Sequence, residues 1–187
     1  MLQVSGFKQY KKDTLINGFG NFYLMAKRDK ISINWVKLIV SIVLSEAAGL
    51  VGSIFTFQAI PTWYATLNKP PITPPNWFFA PIWTTLYFLI GIALYFVWNK
   101  GLGAKGAKLA ITLFMIQLFL NSLWSYIFFG AKSLLFGAIE IVFLWFFIVA
   151  TTIEFRDIDR RAGYIMFPYL SWTTLATILN LSILWIN

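Results

Sequence analysis

Five long apolar segments, at about residues 35–60, 77–98, 106–129, 133–153 and 164–186, constrain this chain more than any other feature. Each is about 20 residues or longer, and 20 residues at about 1.5 Å rise cover the roughly 30 Å hydrocarbon core of a bilayer. All five are long enough to span it as helices. Trp35 opens the first segment, Trp77 and Trp98 flank the second, and Trp185 closes the last; indole rings favour the headgroup level, which supports these boundaries. The expected fold is therefore an all-α integral membrane bundle of five transmembrane helices over residues 35–187, preceded by a basic extension at 1–34. Composition agrees: 59% of residues are hydrophobic and 12% charged, with a mean hydropathy of +0.71, unlike a water-soluble domain.

The chain has no cysteine and no histidine. Disulfides, thiolate chemistry, histidine-ligated zinc or haem and every His-dependent catalytic triad are thereby excluded. No metal and no required cofactor is expected, and no dedicated enzyme chemistry is visible. The net charge of +8 could suggest nucleic acid, but its distribution argues for topology instead. Seven of the 15 basic residues precede or open the first span, three follow the second (Lys100, Lys105, Lys108) and three follow the fourth (Arg156, Arg160, Arg161). Only Lys69 and Lys132 fall on the opposite side. The positive-inside rule then predicts a cytoplasmic N-terminus and an outside C-terminus. The extension at 1–34 reads as an uncleaved arm that lies on an anionic leaflet or as a mobile tail.

Between the first two spans, residues 61–75 hold five of the seven prolines. Proline fixes φ and removes a donor, and two Pro-Pro pairs keep the backbone extended, so this connection is stiff. Trp63 and Tyr64 supply its apolar surface, and Lys69 is its single cation. It reads either as an interfacial loop anchored by its aromatics or as a lid over an opening between helices.

Within the spans, aromatic and polar residues recur at helical spacing. Phe79, Trp83, Tyr87, Gly91 and Tyr95 share one face of the second span, and Gln117, Asn121, Trp124 and Phe128 one face of the third. The fourth offers Phe136, Glu140, Phe143 and Phe147; the fifth offers Pro168, Trp172, Ala176 and Asn180. Amides are costly against lipid, so the face carrying Gln117 and Asn121 is expected to point inward. Taken singly, such stripes read as helix contacts. Together, Trp83, Trp124 and Trp172 with few polar groups describe a pocket for a flat, largely apolar ligand held by stacking. Two carboxylates lie inside spans, where ionisable groups are expensive and functional candidates by default. Glu140 reads as pocket-lining or as a structural hydrogen-bonding group. Glu46 neighbours Ser45, Ala47, Ala48 and Gly49, which favours close helix packing.

Several blocks in order resemble one known family. They are Trp63-Tyr64-x-x-Leu67-x-Lys69-Pro70-x-x-x-Pro74-Pro75-x-Trp77, then Pro81-x-Trp83-x-x-Leu86-Tyr87, and Gly91-x-x-x-Tyr95-x-Val97-Trp98. Gln117, Leu120, Asn121 and Trp124 follow, then Gly130-Ala131, Pro168-Tyr169-Leu170-x-Trp172 and Ala176-Thr177-x-Leu179-Asn180. The chain over about 45–187 thus resembles the tryptophan-rich sensory protein and translocator protein family, also called TspO or peripheral benzodiazepine receptor. That resemblance implies a five-helix bundle with the first loop folded over one end and often a homodimer in the lipid bilayer. It implies a membrane receptor or sensor that binds protoporphyrin IX or a related tetrapyrrole, or another apolar small molecule, between the helices. By the same resemblance, Trp83 and Trp172 match tryptophans linked in bacterial members with tetrapyrrole binding and photo-oxidative breakdown. Glu140 matches an acidic cavity residue, and Ala176 a small position at which bulk changes affinity. A sterol pattern would need Tyr and a cation near the end of the fifth span; residues 179–187 have neither, so sterol is not the expected ligand. Two other functions stay open: a transporter of tetrapyrroles or other amphiphiles, against which the absence of paired broken helices counts, and a structural protein that binds a partner through its basic arm.

Overall fold

The computed structural model of the chain describes residues 33–187. The basic arm expected on the membrane surface falls almost wholly outside those residues. Among them are six α-helices and no strand: α1 (Trp35–Ala59), α2 (Trp63–Thr66), α3 (Asn76–Asn99), α4 (Ala107–Ser125), α5 (Leu134–Ile158) and α6 (Arg160–Ile186). All but α2 are long and apolar enough to cross a membrane, α4 together with the π-helical turn Tyr126–Gly130 that continues it. The five spans form a closed ring in the order α1, α3, α6, α5, α4, each packed on the next and α4 packed again on α1.

Local chemistry sets the ends. The Asn34 side chain accepts from the Lys37 amide and starts α1; Ser133 does the same for α5 through the Phe136 amide, each satisfying an N–H that the helix leaves unpaired. Asp159 does double duty. Its backbone is extended (φ −147°, ψ 114°), which ends α5, and its carboxylate accepts from the Arg161 amide, which starts α6. The polar stretch expected as a loop from about 154 to 163 is therefore helical except at this one residue. A single extended residue with a capping side chain is enough to reverse the chain.

Packing of α1 depends on small residues. Its buried positions are Ser41, Ser45, Gly52 and Ala59, and where it crosses α3 there is no room for more. A Cβ on Gly91 would come within 2.7 Å of the Ile42 Cα, and one on Gly49 within 2.5 Å of the Tyr87 ring. Small residues let membrane helices approach closely where no hydrophobic drive between them exists. Across the ring α5 instead buries Ile141, Leu144, Ile148 and Phe155, which meet Phe114 of α4 and Ala162, Met166 and Tyr169 of α6 in one apolar core. The Phe114 and Phe155 rings stack at 5.6 Å.

At the end carrying the α1 N-terminus, Lys37 donates to the Trp98 carbonyl at the C-terminus of α3. On the same side, Asp159 is buried among cations. Arg161 donates to it through Nε and Nη2, and Lys100 lies 3.4 Å away. These hydrogen bonds from Arg161 hold the Asp159 carboxyl down at about 2, below the ordinary aspartate value. At the opposite end, the loop 61–75 is tied to the chain terminus by two hydrogen bonds between Asn68 and Asn187.

Candidate functional site

A cavity of about 220 Å³ opens between α1, α3, α4 and the π-helical turn. It lies next to the close approach of Gly91 to Ile42, with Gly49 and Tyr87 on its wall. The α1 wall is Glu46, Gly49, Gly52, Thr56 and Ile60, with Leu50, Ser53 and Phe57 towards the rim; the α3 wall is Phe79, Trp83 and Tyr87, with Ala80 and Thr84 at the rim; Asn121, Trp124, Ser125 and Phe129 form the back. The rim residues Leu50, Ser53, Phe57, Ala80 and Thr84 are exposed, so the mouth lies between α1 and α3, on the lipid-facing flank of the bundle.

Trp83 is the centre of the aromatic wall. Its ring lies 5.7 Å from Tyr87, 6.5 Å from Trp124, 6.4 Å from Tyr169 and 6.4 Å from Trp172. The four-residue spacing of Phe79, Trp83 and Tyr87 puts all three on the cavity, as the stripe predicts. Trp124 is held by its indole N–H, which donates to Asn180 of α6 at 3.3 Å, and by stacking on Phe128 at 5.5 Å.

Behind this wall runs a buried polar chain. The Tyr87 hydroxyl donates to Asn121 Oδ1, Asn121 Nδ2 donates to the Tyr169 hydroxyl at 2.8 Å, and that hydroxyl donates to Gln117 Oε1 at 2.8 Å. One side chain from α3, two from α4 and one from α6 are thereby locked in one orientation. Tyr87 and Asn121 present this chain to the cavity, so the amide face expected to point inward does so.

The loop closes one end. Trp63 packs on Phe128 at 5.4 Å, and Tyr64, 4% exposed, packs on Phe79, Phe128 and Phe129. Burial pushes the Tyr64 phenol up to about 12. Lys69 donates to the Tyr64 and Leu67 carbonyls, both at 2.8 Å, and sits 4.9 Å over the Tyr64 ring. Trp63 and Tyr64 therefore back the cavity residues Phe79 and Phe129 rather than line the space themselves.

Other expected site residues lie further off. Trp172 stands behind the wall, against Phe78, Phe79 and Trp83, with its indole nitrogen buried and without a partner among the described residues. Ala176, one turn along α6, is half-buried, and its carbonyl accepts from Asn180. The stripe on α5 divides. Glu140 is 7% exposed and turns into the bundle, where neither carboxyl oxygen has a partner among the described residues. Phe136 and Phe143, by contrast, are 63% and 59% exposed and face outward, away from the cavity. Residues 136, 140 and 143 span only two turns, and the apolar face that α5 buries is set by Gly137, Ile141 and Leu144 instead.

The α1 wall was not among the expected site residues. Glu46 lines the cavity rather than a helix contact, and the signal available was an acid in the middle of an otherwise apolar span. Phe129 was hidden because the π-helical turn rotates the residues after Ser125 off the α-helical period. Tyr169, three residues before Trp172 on the same face, carries the polar chain.

These features define a class: an integral membrane protein of five spanning helices with an aromatic-walled, laterally open cavity between three of them. The pattern of the TspO/MBR family matches residues 41–186, and the chain belongs to that family. It is 42% identical over 155 residues to a tryptophan-rich protein TspO of Archaeoglobus fulgidus, covering 83% of this chain and 99% of that one. A tryptophan-rich protein TspO of Chlorobaculum tepidum is 41% identical over 150 residues, 80% of this chain and 95% of the relative. The translocator protein of Ovis aries is 34% identical over 147 residues, 78% and 87% of the two chains.

Proposed function

We propose that this chain is a membrane receptor or sensor that binds porphyrin-type tetrapyrroles, and related flat apolar ligands, in the cavity between α1, α3 and α4. The observation that carries the reading is the aromatic wall around Trp83, with only a few polar groups facing it. Such a surface stacks a flat ring and orients it with few hydrogen bonds. At about 220 Å³ the cavity is smaller than the roughly 300–1,000 Å³ usual for ligand sites. A macrocycle would seat one edge against Trp83 and leave the other in the mouth between α1 and α3. Light- and oxygen-dependent breakdown of a bound porphyrin is consistent with this seat, because Trp83 would meet the ring directly and Trp172 stands 6.4 Å behind it as a second electron donor. The distribution of cations supports a cytoplasmic α1 N-terminus, which would place the loop 61–75 on the outer side.

Protoporphyrin IX titrated against tryptophan fluorescence tests the site. Saturable quenching is expected, weakened about tenfold in a Trp83→Phe, Trp172→Phe double variant. Absence of saturable quenching, or unchanged affinity in the double variant, overturns the assignment. The lateral mouth also favours a second reading, passage of amphiphiles between lipid and cavity, in line with the name of the Ovis aries relative. Uptake into liposomes that continues past one ligand per protein would establish it over binding alone.

A further inference from the structure

Glu46 is the twelfth of the 25 residues of α1. At about 1.5 Å per residue some 17 Å of helix precede it, which puts its carboxyl near the middle of the span. An ionisable group at that depth is costly in lipid and is normally paired or turned to a polar space. Glu46 faces the cavity. Among the described residues it makes no salt bridge, both such bridges belonging to Asp159, and none of those residues donates a hydrogen bond to its carboxyl oxygens. Every other described residue on the cavity wall lacks an acidic or basic side chain of the Asp, Glu, Lys or Arg type, so the Glu46 carboxyl is the one carboxylic acid among the described residues that a ligand would meet there. The same cavity is lined by Trp83, Tyr87 and Trp124, whose ring faces attract cations as well as apolar groups.

We propose that Glu46 is a counter-ion for the ligand: the cavity prefers an apolar aromatic ligand bearing one protonated nitrogen to a ligand of the same shape bearing a carboxylate. The proposal rests on the cavity being a binding site, as argued above, and adds the charge it selects. A cation would complete a site in which the protein supplies the anion and the stacking surface but no positive partner. A charge-assisted hydrogen bond to Glu46 would give the cation its advantage, and a carboxylate would meet repulsion instead. For a porphyrin the same rule orients the ring, since its acidic side chains would point away from Glu46 and out through the mouth.

The test uses the full chain in an uncharged detergent and two probes of one shape, 9-aminoacridine, a cation at neutral pH, and acridine-9-carboxylate, each titrated by tryptophan quenching. The cation should bind at least about tenfold more tightly than the carboxylate. Glu46→Gln should abolish that preference, chiefly by weakening the cation, whereas Glu46→Asp, which keeps the charge, should retain most of it. Equal binding of the two probes by the unaltered chain, or a preference that survives Glu46→Gln, overturns the proposal. Protoporphyrin IX run on the same samples separates the two readings. Saturable porphyrin quenching with charge-blind acridine binding removes the role of Glu46 alone, whereas no quenching by any of the three ligands removes the cavity as a binding site as well.

Discussion

The α5–α6 side of the ring and the α1–α3 side are both built from helices of 24 to 27 residues, all apolar enough to cross a membrane, yet one is sealed and the other open. Between α5 and α6 the chain turns on Asp159 alone, and large residues such as Ile141, Leu144, Ile148, Phe155, Met166 and Tyr169 fill the interior. Between α1 and α3 the backbones come closest where Gly91 meets Ile42, and next to that crossing the cavity opens, with Gly49 and Tyr87 on its wall. A bulky interface seals along its length, whereas a small-residue interface is tight only where the backbones touch. The opening is thus a consequence of where α1 places its small residues. The polar chain from Tyr87 to Gln117 bridges the two sides, joining the open wall of α3 to the sealed core through α4 and α6.

Breaking the tight crossing should have the largest effect. Gly91→Val puts side-chain atoms into the Ile42 backbone, and backbone cannot swing aside as a side chain does. A loss of about 3 kcal/mol in unfolding free energy is expected, measured by denaturation in detergent, together with loss of porphyrin quenching as α1 is pushed off α3. A variant that unfolds like the parent would show that the crossing is not what holds the open side together.

Cutting the bridge comes next. Asn121→Leu keeps the side-chain size but leaves the Tyr87 hydroxyl without its acceptor and the Tyr169 hydroxyl without its donor, both buried. About 2 kcal/mol should be lost, with a weakened ligand site because Tyr87 is no longer held. Stability equal to the parent's would mean that the chain contributes nothing net.

The smallest effect is expected at the sealed turn. Asp159 is held low, at about 2, mainly by hydrogen bonds from Arg161, so its contribution is fully present above the ordinary aspartate value and is lost as pH falls from about 4 towards 2. Lys100 and Arg161 are about half exposed, which screens the interaction. Asp159→Asn should cost about 1 kcal/mol and flatten the acid limb of the stability profile over that range, with ligand affinity unchanged. An acid limb identical in parent and variant would assign the low-pH loss to another group.

Much of this contrast was legible beforehand, though unevenly. The stripe Phe79, Trp83 and Tyr87 and the pair Asn121 and Trp124 could be placed on one site by spacing alone, because α3 and α4 keep the α-helical period through those residues. Phe129 could not, because the π-helical turn shifts the period just before it. Phe136 and Phe143 failed for a different reason. In water an exposed phenylalanine is costly and a stripe of them marks the core, but lipid is as apolar as a core, so nothing in the aromatic character of α5 told its inner face from its outer one. Glu46 carried its signal openly, as an acid in the middle of a span; what was hidden was the space beside it.

The five spans, the stiff proline-rich loop between the first two, the accumulation of cations at one end and most of the wall around Trp83 can be read along the chain. These follow from length, spacing and charge, which are properties of single segments. The packing of the helices adds that a cavity opens between α1 and α3 beside the Gly91 crossing, that Glu46 faces it, that Trp63 and Tyr64 support the wall from behind, and that Tyr169 completes the polar chain. Each of these depends on the distance between two helices. That distance is set by which small residues meet at a crossing, and no periodicity within one helix contains it.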